Sequence, residues 1–523
     1  MKIKKLNFLT LYIFFTLKIF FIQAASDKAT SININFDNSK EFGPFLGYNC
    51  QIIPMNYNYD NPELFRAVKA LKPAYLRFPG GSAGNFYHWK IDNFKDEDFT
   101  AEGQITFIKE AFENFKKNST LHPDGKLGFK EFLVFCKNLG AEPIVTFNIY
   151  TEDADSLAEF IKHIKELNIV SVKYGMLGCE NYMPKQSVMK FNSQGKRNIG
   201  NAEEYALTAE EAYKKIKKTD PYINLAVNII APKGAGLRNN EDIKWWNEEL
   251  LNKNIFDAFE SHYYQEPINE IFKKSDAEAK GEYYYKQWKF ILFAQHADHK
   301  ENLSENKKFF SKPIWQDEGG IGWTIWVKEG STSTMMMALL DAEYIFLSSD
   351  EFPQYERVCR HNLHSGAAWQ ILGKYNDKVT NGFNPHPPRY QVLKLLGNIN
   401  ECKKRIECTI KDSSEIQGNF LYENSTMPGI DARVFEKDNT LFIYVINRGP
   451  NKEKIKIESG KKLIFPARLE YVGGYLDASN GIDEHENGRP LEHIAKIEEK
   501  QISQDKIEII PFSLTLVTVR YQE

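Results

Sequence analysis

The chain has 523 residues, 42% of them hydrophobic and 14% aromatic, which is enough apolar material for a large core and excludes a disordered chain. Its net charge is only −3, with acids and bases interspersed, so there is no basic stripe of the kind that binds nucleic acid. Six cysteines are too few for a disulfide scaffold and show no Cys/His spacing of the zinc-ligand kind, so neither a metal nor another cofactor is expected.

The first residues, MKIKK, are basic, and LNFLTLYIFFTLKIFFIQAA then runs apolar and ends in small side chains. This predicts a secretory signal peptide over residues 1–25, cut near Ala24 or Ala25, and hence an exported protein, extracellular or periplasmic. A membrane span needs about 20 apolar residues. Lys18 interrupts the run, so an uncleaved anchor is the lesser alternative and no integral membrane domain is expected. SININFDN (31–38) is strand-like, and segment 26–42 is expected to join a sheet formed later in the chain.

Between 43 and 400, short apolar runs alternate with helical patterns. The runs are GPFLGYNC (43–50), PAYLRFPGG (73–81), EPIVTFNIY (142–150), VKYGMLGCE (172–180), INLAVNIIAP (223–232), FDAFESHYY (256–264), KPIWQDEGG (312–320) and RVCRHNLHSGAAW (357–369). Each reads as a strand buried on both faces. The helical stretches carry their own boundary signals: Asn61-Pro62 opens one, Gly140 closes another, and NAEEYALTAEEAYKKIKK places acids early and lysines late. Eight strand–helix units predict a (β/α)8 TIM barrel, with a doubly wound open sheet as the alternative. From 405 to 523 the pattern alternates with period two, as in IDARVFEKDNTLFIYVINRG and KIEIIPFSLTLVTVRY, which predicts an antiparallel β-sandwich. Cys402 and Cys408 are a candidate disulfide there if the compartment is oxidising.

In a barrel of this kind chemistry collects at the C-terminal ends of the strands. The polar residues at those ends are Asn49, Arg77, Asn148, Glu180, Asn228, His262, Tyr264, Asp317, Glu318, His361, His364 and Trp369. Buried acids and bases are costly unless paired, which is the physical reason to suspect function. Glu180 ends the fourth run and Glu318 the seventh, so two carboxylates face each other across one mouth. Glycoside hydrolysis needs such a pair, one acid to protonate the leaving oxygen and one carboxylate to attack or to activate water. Arg77 and Tyr264 are candidates to keep the attacking carboxylate ionised. Strict alternation along the seventh strand turns Asp317 away from Glu318. His361 and His364 lie three apart but lack a third metal ligand.

The stretches YLRFPGGSAGNFYHW, VKYGMLGCENY, FESHYY and PIWQDEGG, in that order, resemble the clan of retaining (β/α)8 glycosidases. Within it, LRFPGG…YHW and IIPFSLTLVTV look most like the α-L-arabinofuranosidases of glycoside hydrolase family 51, with the heparanase and β-glucuronidase family next. The resemblance implies a retaining glycoside hydrolase acting on a carbohydrate, with Glu180 as acid/base and Glu318 as nucleophile. It further implies that Tyr264 donates to Glu318, that Arg77 supports it, and that His262 and Trp369 line the sugar subsite. One departure stands out: the clan carries Asn before the acid/base, and here that residue is Cys179, whose thiol cannot copy an amide. Asn148 or Asn181 then supplies the missing bond to substrate, or the substrate differs at that position, or the chain is a carbohydrate-binding protein with a weakened site. Oligomeric state is not legible.

Overall fold

The computed structural model describes residues 29–50, 58–95, 98, 126–182, 202–233, 240–265, 280–321, 334–363, 371–372, 387–478 and 495–522. Strand β1 spans Thr30–Glu41 and belongs to the C-terminal sheet. The next eight strands close a parallel barrel: β2 (Leu46–Asn49), β3 (Tyr75–Phe78), β4 (Glu142–Phe147), β5 (Tyr174–Leu177), β6 (Asn224–Ile229), β7 (Ala258–Gln265), β8 (Ile314–Ile321) and β9 (Tyr355–Arg360). β2 pairs in parallel with both β3 and β9, which closes the ring and removes the open-sheet alternative. Every one of the eight predicted runs overlaps one of these strands.

Parallel neighbours need a crossover, and helices supply it. They are α1 (Pro62–Ala70), α2 (Phe129–Leu139), α3 (Ala154–Leu167), α4 (Ala202–Thr219), α5 (Asn240–Lys253), α6 (Lys280–Asn306) and α7 (Met335–Asp350), with α8 (Pro388–Leu396) after β9. Their ends follow local chemistry. The Asn61 side chain accepts from the backbone N–H groups of Glu63 and Leu64, with Pro62 in the first turn of α1. Asp153 caps α3 through Ser156 N–H, and α3 buries Leu157, Phe160, Ile161 and Ile164 on one face. α7 differs, being buried nearly all round, including Met335, Met336 and Met337. A helix apolar on every side must be covered on every side, and α7 lies between the barrel and the C-terminal sheet.

The barrel interior changes character from bottom to top. Tyr75, Ile144, Met176, Ala226, Ala258, Trp315 and Cys359 form an apolar layer. The buried Arg357 guanidinium plugs it, 4.3, 3.8 and 4.2 Å from the ring centres of Tyr75, Tyr174 and Trp315. Two residues further along the strands the inward positions turn polar, with Arg77, Thr146, Asn228, Glu260 and Asp317, all buried.

The C-terminal sheet has nine strands and mostly antiparallel pairing. β1 is the exception to the antiparallel expectation. It runs antiparallel to Lys404–Lys411 but parallel to Glu453–Ser459, because the N-terminal segment enters the sheet between two later strands. Its core draws on strands from both ends of the order, including Ile32, Ile457, Leu469 and Val519, as a sheet curled over itself does. Ion pairs tie it to α7: Arg448 donates to Glu343 at 2.6 Å and Arg433 donates to Asp350 at 2.8 Å, while Asp431 of the sheet itself accepts from Arg448 at 2.7 Å. The Cys402–Cys408 disulfide does not form, and both thiols are free. Six residues of extended chain separate them by roughly 20 Å, whereas a disulfide holds its Cα atoms within about 7 Å.

Candidate active site

The polar layer opens at the C-terminal mouth around Glu318. Its position depends on an irregularity. Glu260 pairs with Trp315, but His262 pairs with Glu318, so three residues of β8 span what two span on β7. Trp315 packs in the interior layer, while Gln316 turns outward to accept from the Ser348 hydroxyl of α7 at 2.7 Å. Beyond the bulge, Asp317 lies inside near Arg77, Arg357 and Glu260, and Glu318 also reaches the mouth. The expectation that Asp317 turns away from Glu318 is therefore corrected. Alternation fails where a bulge re-aims a side chain.

Glu318 is held on both oxygens. Arg77 Nη1 donates to Oε1 at 2.7 Å and Tyr264 Oη donates to Oε2 at 2.8 Å, with His262 Nδ1 3.6 Å and His361 Nδ1 3.9 Å from Oε2. Burial works to raise its pKa, but the charges of His262, His361 and Arg77 and the Tyr264 hydroxyl outweigh burial and hold the carboxylate well below its usual range. Burial, only partly offset by Glu318, brings His361 down to about 4. At neutral pH the imidazole of His361 is thus uncharged, and Arg77 and His262 do most of the work. Burial, followed by Glu318, pushes Tyr264 well up, so it stays a donor. Asp317 is fully buried, and burial raises it to about 6 against the opposing pull of Arg77 and Arg357.

His262 links the two glutamates. Its Nδ1 is 2.9 Å from Glu180 Oε1, and its Nε2 contacts Glu260 Oε1. Burial would lower its pKa, but Glu260 and Glu318 raise it well above the ordinary value, so it carries charge at neutral pH. Glu260, fully buried, also accepts from Asn228 Nδ2 at 2.6 Å. Sequence reasoning missed Glu260, although the period-two spacing of Glu260, His262 and Tyr264 in FESHYY was a usable signal.

Glu180 sits just past β5 with φ +51°, directly after Cys179 and two residues after Gly178 at φ +82°. Only glycine suits Gly178: a Cβ there would lie 2.0 Å from the Asn181 amide oxygen. Asn85, from the loop after β3, holds this turn. It donates from Nδ2 to Cys179 O at 2.7 Å and accepts from Cys179 N at 2.9 Å, pairing with backbone as a neighbouring strand would. No sequence signal singled Asn85 out.

The remaining candidates divide. The Cys179 thiol is 3.6 Å from Glu318 Oε1, and burial, then Glu318, pushes its pKa well up, so it is a neutral thiol. Asn181 is fully buried, and neither atom of its amide has a hydrogen-bond partner among the described residues. Asn148 is committed elsewhere, donating to Tyr87 O at 3.2 Å and Thr151 Oγ1 at 2.7 Å and accepting from Tyr150 N–H and Thr151 N–H at 3.0 Å. Its amide shapes the loop after β4 and is not spare for substrate. His364 and Trp369 lie outside the described residues.

A closed (β/α)8 barrel with two carboxyl groups at its C-terminal mouth has the architecture of the barrel glycoside hydrolases. The particular likeness is to α-L-arabinofuranosidases. The family model for the alpha-L-arabinofuranosidase 1 domain matches residues 67–282, which include Arg77, Glu180, His262 and Tyr264 and stop short of Glu318. An intracellular exo-alpha-L-arabinofuranosidase of Bacteroides ovatus is 24% identical over 162 residues, 27% of this chain and 29% of the relative. An intracellular exo-alpha-(1->5)-L-arabinofuranosidase of Acetivibrio thermocellus is 25% identical over 170 residues, 31% of each chain. The match therefore spans less than a third of these relatives' length. Among solved structures, the family 51 arabinofuranosidase of Xanthomonas axonopodis pv. citri superposes with a TM-score of 0.66 at 11% identity, over 94% of this chain and 100% of that one. The α-L-arabinofuranosidase of Thermotoga maritima in its arabinose complex gives 0.64 at 17% identity, over 94% and 99%. The chain thus has the fold of these enzymes and resembles them in sequence.

Proposed function

We propose that the protein is a retaining glycoside hydrolase of α-L-arabinofuranosidase type. Glu318 attacks the anomeric carbon while Glu180 protonates the leaving oxygen, and Glu180 then draws a proton from the water that releases the sugar. The observation that carries this reading is the unequal pair: Glu318 is kept ionised by Arg77, His262 and Tyr264, while Glu180 stands across His262 at the mouth. Separation supports retention. His262 Nδ1 is 2.9 Å from one carboxyl oxygen and 3.6 Å from the other, so these oxygens are no further apart than the two distances end to end. Retaining pairs sit about 5–5.5 Å apart and inverting pairs about 6.5–9.5 Å.

The test is a 2-fluoro arabinofuranoside with a good leaving group, followed by intact-mass and peptide analysis. A covalent adduct on Glu318, absent in Glu318→Gln, is expected. Saturable binding with neither adduct nor hydrolysis would instead make this a carbohydrate-binding protein, the reading that Cys179 favours. We propose export as well, on the basic and apolar composition of residues 1–25. No helix among the described residues is long and apolar enough to cross a membrane. Export predicts a secreted form whose N-terminus, by Edman or mass analysis, lies near residue 25.

A further inference from the structure

We propose that the mouth of the barrel is also a site for a soft divalent cation of the Zn2+ class, held by Cys179 Sγ, His262 Nδ1 and a Glu318 carboxylate oxygen. The three ligand atoms lie within 4.8 Å of one another, and theirs is the one such His/Cys/Asp/Glu group found among the described residues. Cys179 Sγ is 3.6 Å from Glu318 Oε1 and His262 Nδ1 is 3.6 Å from Glu318 Oε2. A tetrahedral ion with metal–ligand bonds of about 2.0–2.3 Å sets its ligand atoms about 3.3–3.7 Å apart. The Nδ1–Oε2 separation falls within that window, while the thiol stands against the other oxygen of the same carboxylate and within 4.8 Å of the imidazole nitrogen. A fourth ligand is at hand in Glu180, whose Oε1 is 2.9 Å from the same imidazole nitrogen.

Charge and softness favour the same occupant. Four carboxyl groups, Glu180, Glu260, Asp317 and Glu318, converge here on two guanidiniums, those of Arg77 and Arg357. Once His262 is neutral and metal-bound, a dication supplies the missing positive charge. Arg77 competes for Oε1 at 2.7 Å as a charged donor, whereas Oε2, on the His262 side, carries the neutral Tyr264 hydroxyl at 2.8 Å and is the better donor to a cation. A thiolate with an imidazole and a single carboxylate selects Zn2+, Cd2+ or Co2+ over Mg2+ and Ca2+. The sulfur–metal and nitrogen–metal bonds form as the thiol proton and the Nδ1 proton of the imidazolium leave to solvent. Such an ion would cover Glu318, so competition with substrate follows from the hydrolase reading, whereas binding itself does not rest on it.

The test is a Co2+ titration of the full chain, kept reduced with a phosphine. Expected are a sulfur-to-Co2+ charge-transfer band in the near ultraviolet and visible bands of tetrahedral intensity, saturating at one equivalent. Zn2+ should abolish them and Mg2+ should not. Cys179→Ser should remove the sulfur band, and Glu318→Gln should keep it while weakening Co2+ at least tenfold, which preserves the test if the serine variant misfolds. No band in the wild type, a sulfur band that survives in folded Cys179→Ser, or unchanged affinity in Glu318→Gln overturns the proposal. Since the readout is spectroscopic, an inactive protein that binds Co2+ as described would refute only the hydrolase reading.

Discussion

The end of β8 and the end of β5 each deliver one carboxyl group to the same mouth, and they are built differently. Glu318 stands within a strand, past a bulge, with both oxygens bonded to buried donors. Glu180 stands beyond its strand, on a residue with φ +51°, and shares one imidazole with its neighbours. A carboxylate that must stay ionised is surrounded by fixed positive charge. In the proposed mechanism the carboxyl group that gains and loses a proton is the one at the rim, aimed by a left-handed turn. The difference teaches that the two roles are set by backbone placement as much as by neighbouring charge.

The harshest way to break this asymmetry is to remove Arg77. In Arg77→Met, Glu318 keeps its burial and loses its strongest hydrogen bond. Breaking a buried pair from one side costs about 3–5 kcal/mol, so urea unfolding should show a loss of that order. The pH dependence follows from the sign of the shift. The folded pKa of Glu318 lies below the unfolded value of about 4.3, so the pair stabilises the protein above that pH and the contribution is lost as pH falls through the folded value. In the variant burial is opposed by fewer positive neighbours, His262 foremost among those that remain, and the acid limb of kcat/KM should move up in pH. An unmoved acid limb would show that Arg77 does not govern Glu318. At the other carboxyl group, Glu180→Gln should cost roughly 10²–10⁴ in kcat/KM with a poor leaving group and far less with an activated aryl glycoside. Equal losses on both substrates would remove Glu180 from the acid role.

The sequence made much of this legible, because two simple periods carried it. Strands buried on both faces read as apolar runs, and their C-terminal ends marked Arg77, Glu180, His262, Tyr264 and Glu318. What stayed hidden required three-dimensional register. The bulge that brings Asp317 and Glu318 to one side needs β7 as a ruler, so alternation alone misassigned Asp317. Asn148 stood at the end of a strand as a free amide would, yet its bonds go to Tyr87 O and to the loop that follows its own strand. Asn85 acts on Cys179 across 94 positions of sequence, from a loop with no periodic pattern.

Asn85 gives a finer test of the same comparison. In Asn85→Ala the turn carrying Glu180 loses both reciprocal bonds, while Glu318 keeps all of its own. Each of the two lost hydrogen bonds is worth about 1 kcal/mol, so a fall in kcat of up to roughly thirtyfold is expected for a poor leaving group. KM and the rate on activated aryl substrates should hardly change. A uniform fall on all substrates would mean that Asn85 only stabilises the fold.

The smallest expected effect, and the most discriminating, lies at Glu260. It touches neither Glu180 nor Glu318 through any contact described here, but its carboxylate faces His262 Nε2 and is the leading influence that raises His262 against burial. Glu260→Gln keeps the shape and the bond with Asn228 while removing the charge. The sign is fixed: with less negative charge nearby, the imidazolium gives up its proton at lower pH. Glu318 then loses a positive neighbour sooner as pH rises, and Glu180 loses its charged partner over the same interval. The basic limb of kcat/KM should therefore shift to lower pH, with the acid limb left in place. A shift of both limbs would mean that the two carboxyl groups respond as one unit, and the asymmetry between the ends of β5 and β8 would be a matter of geometry without separate electrostatic control.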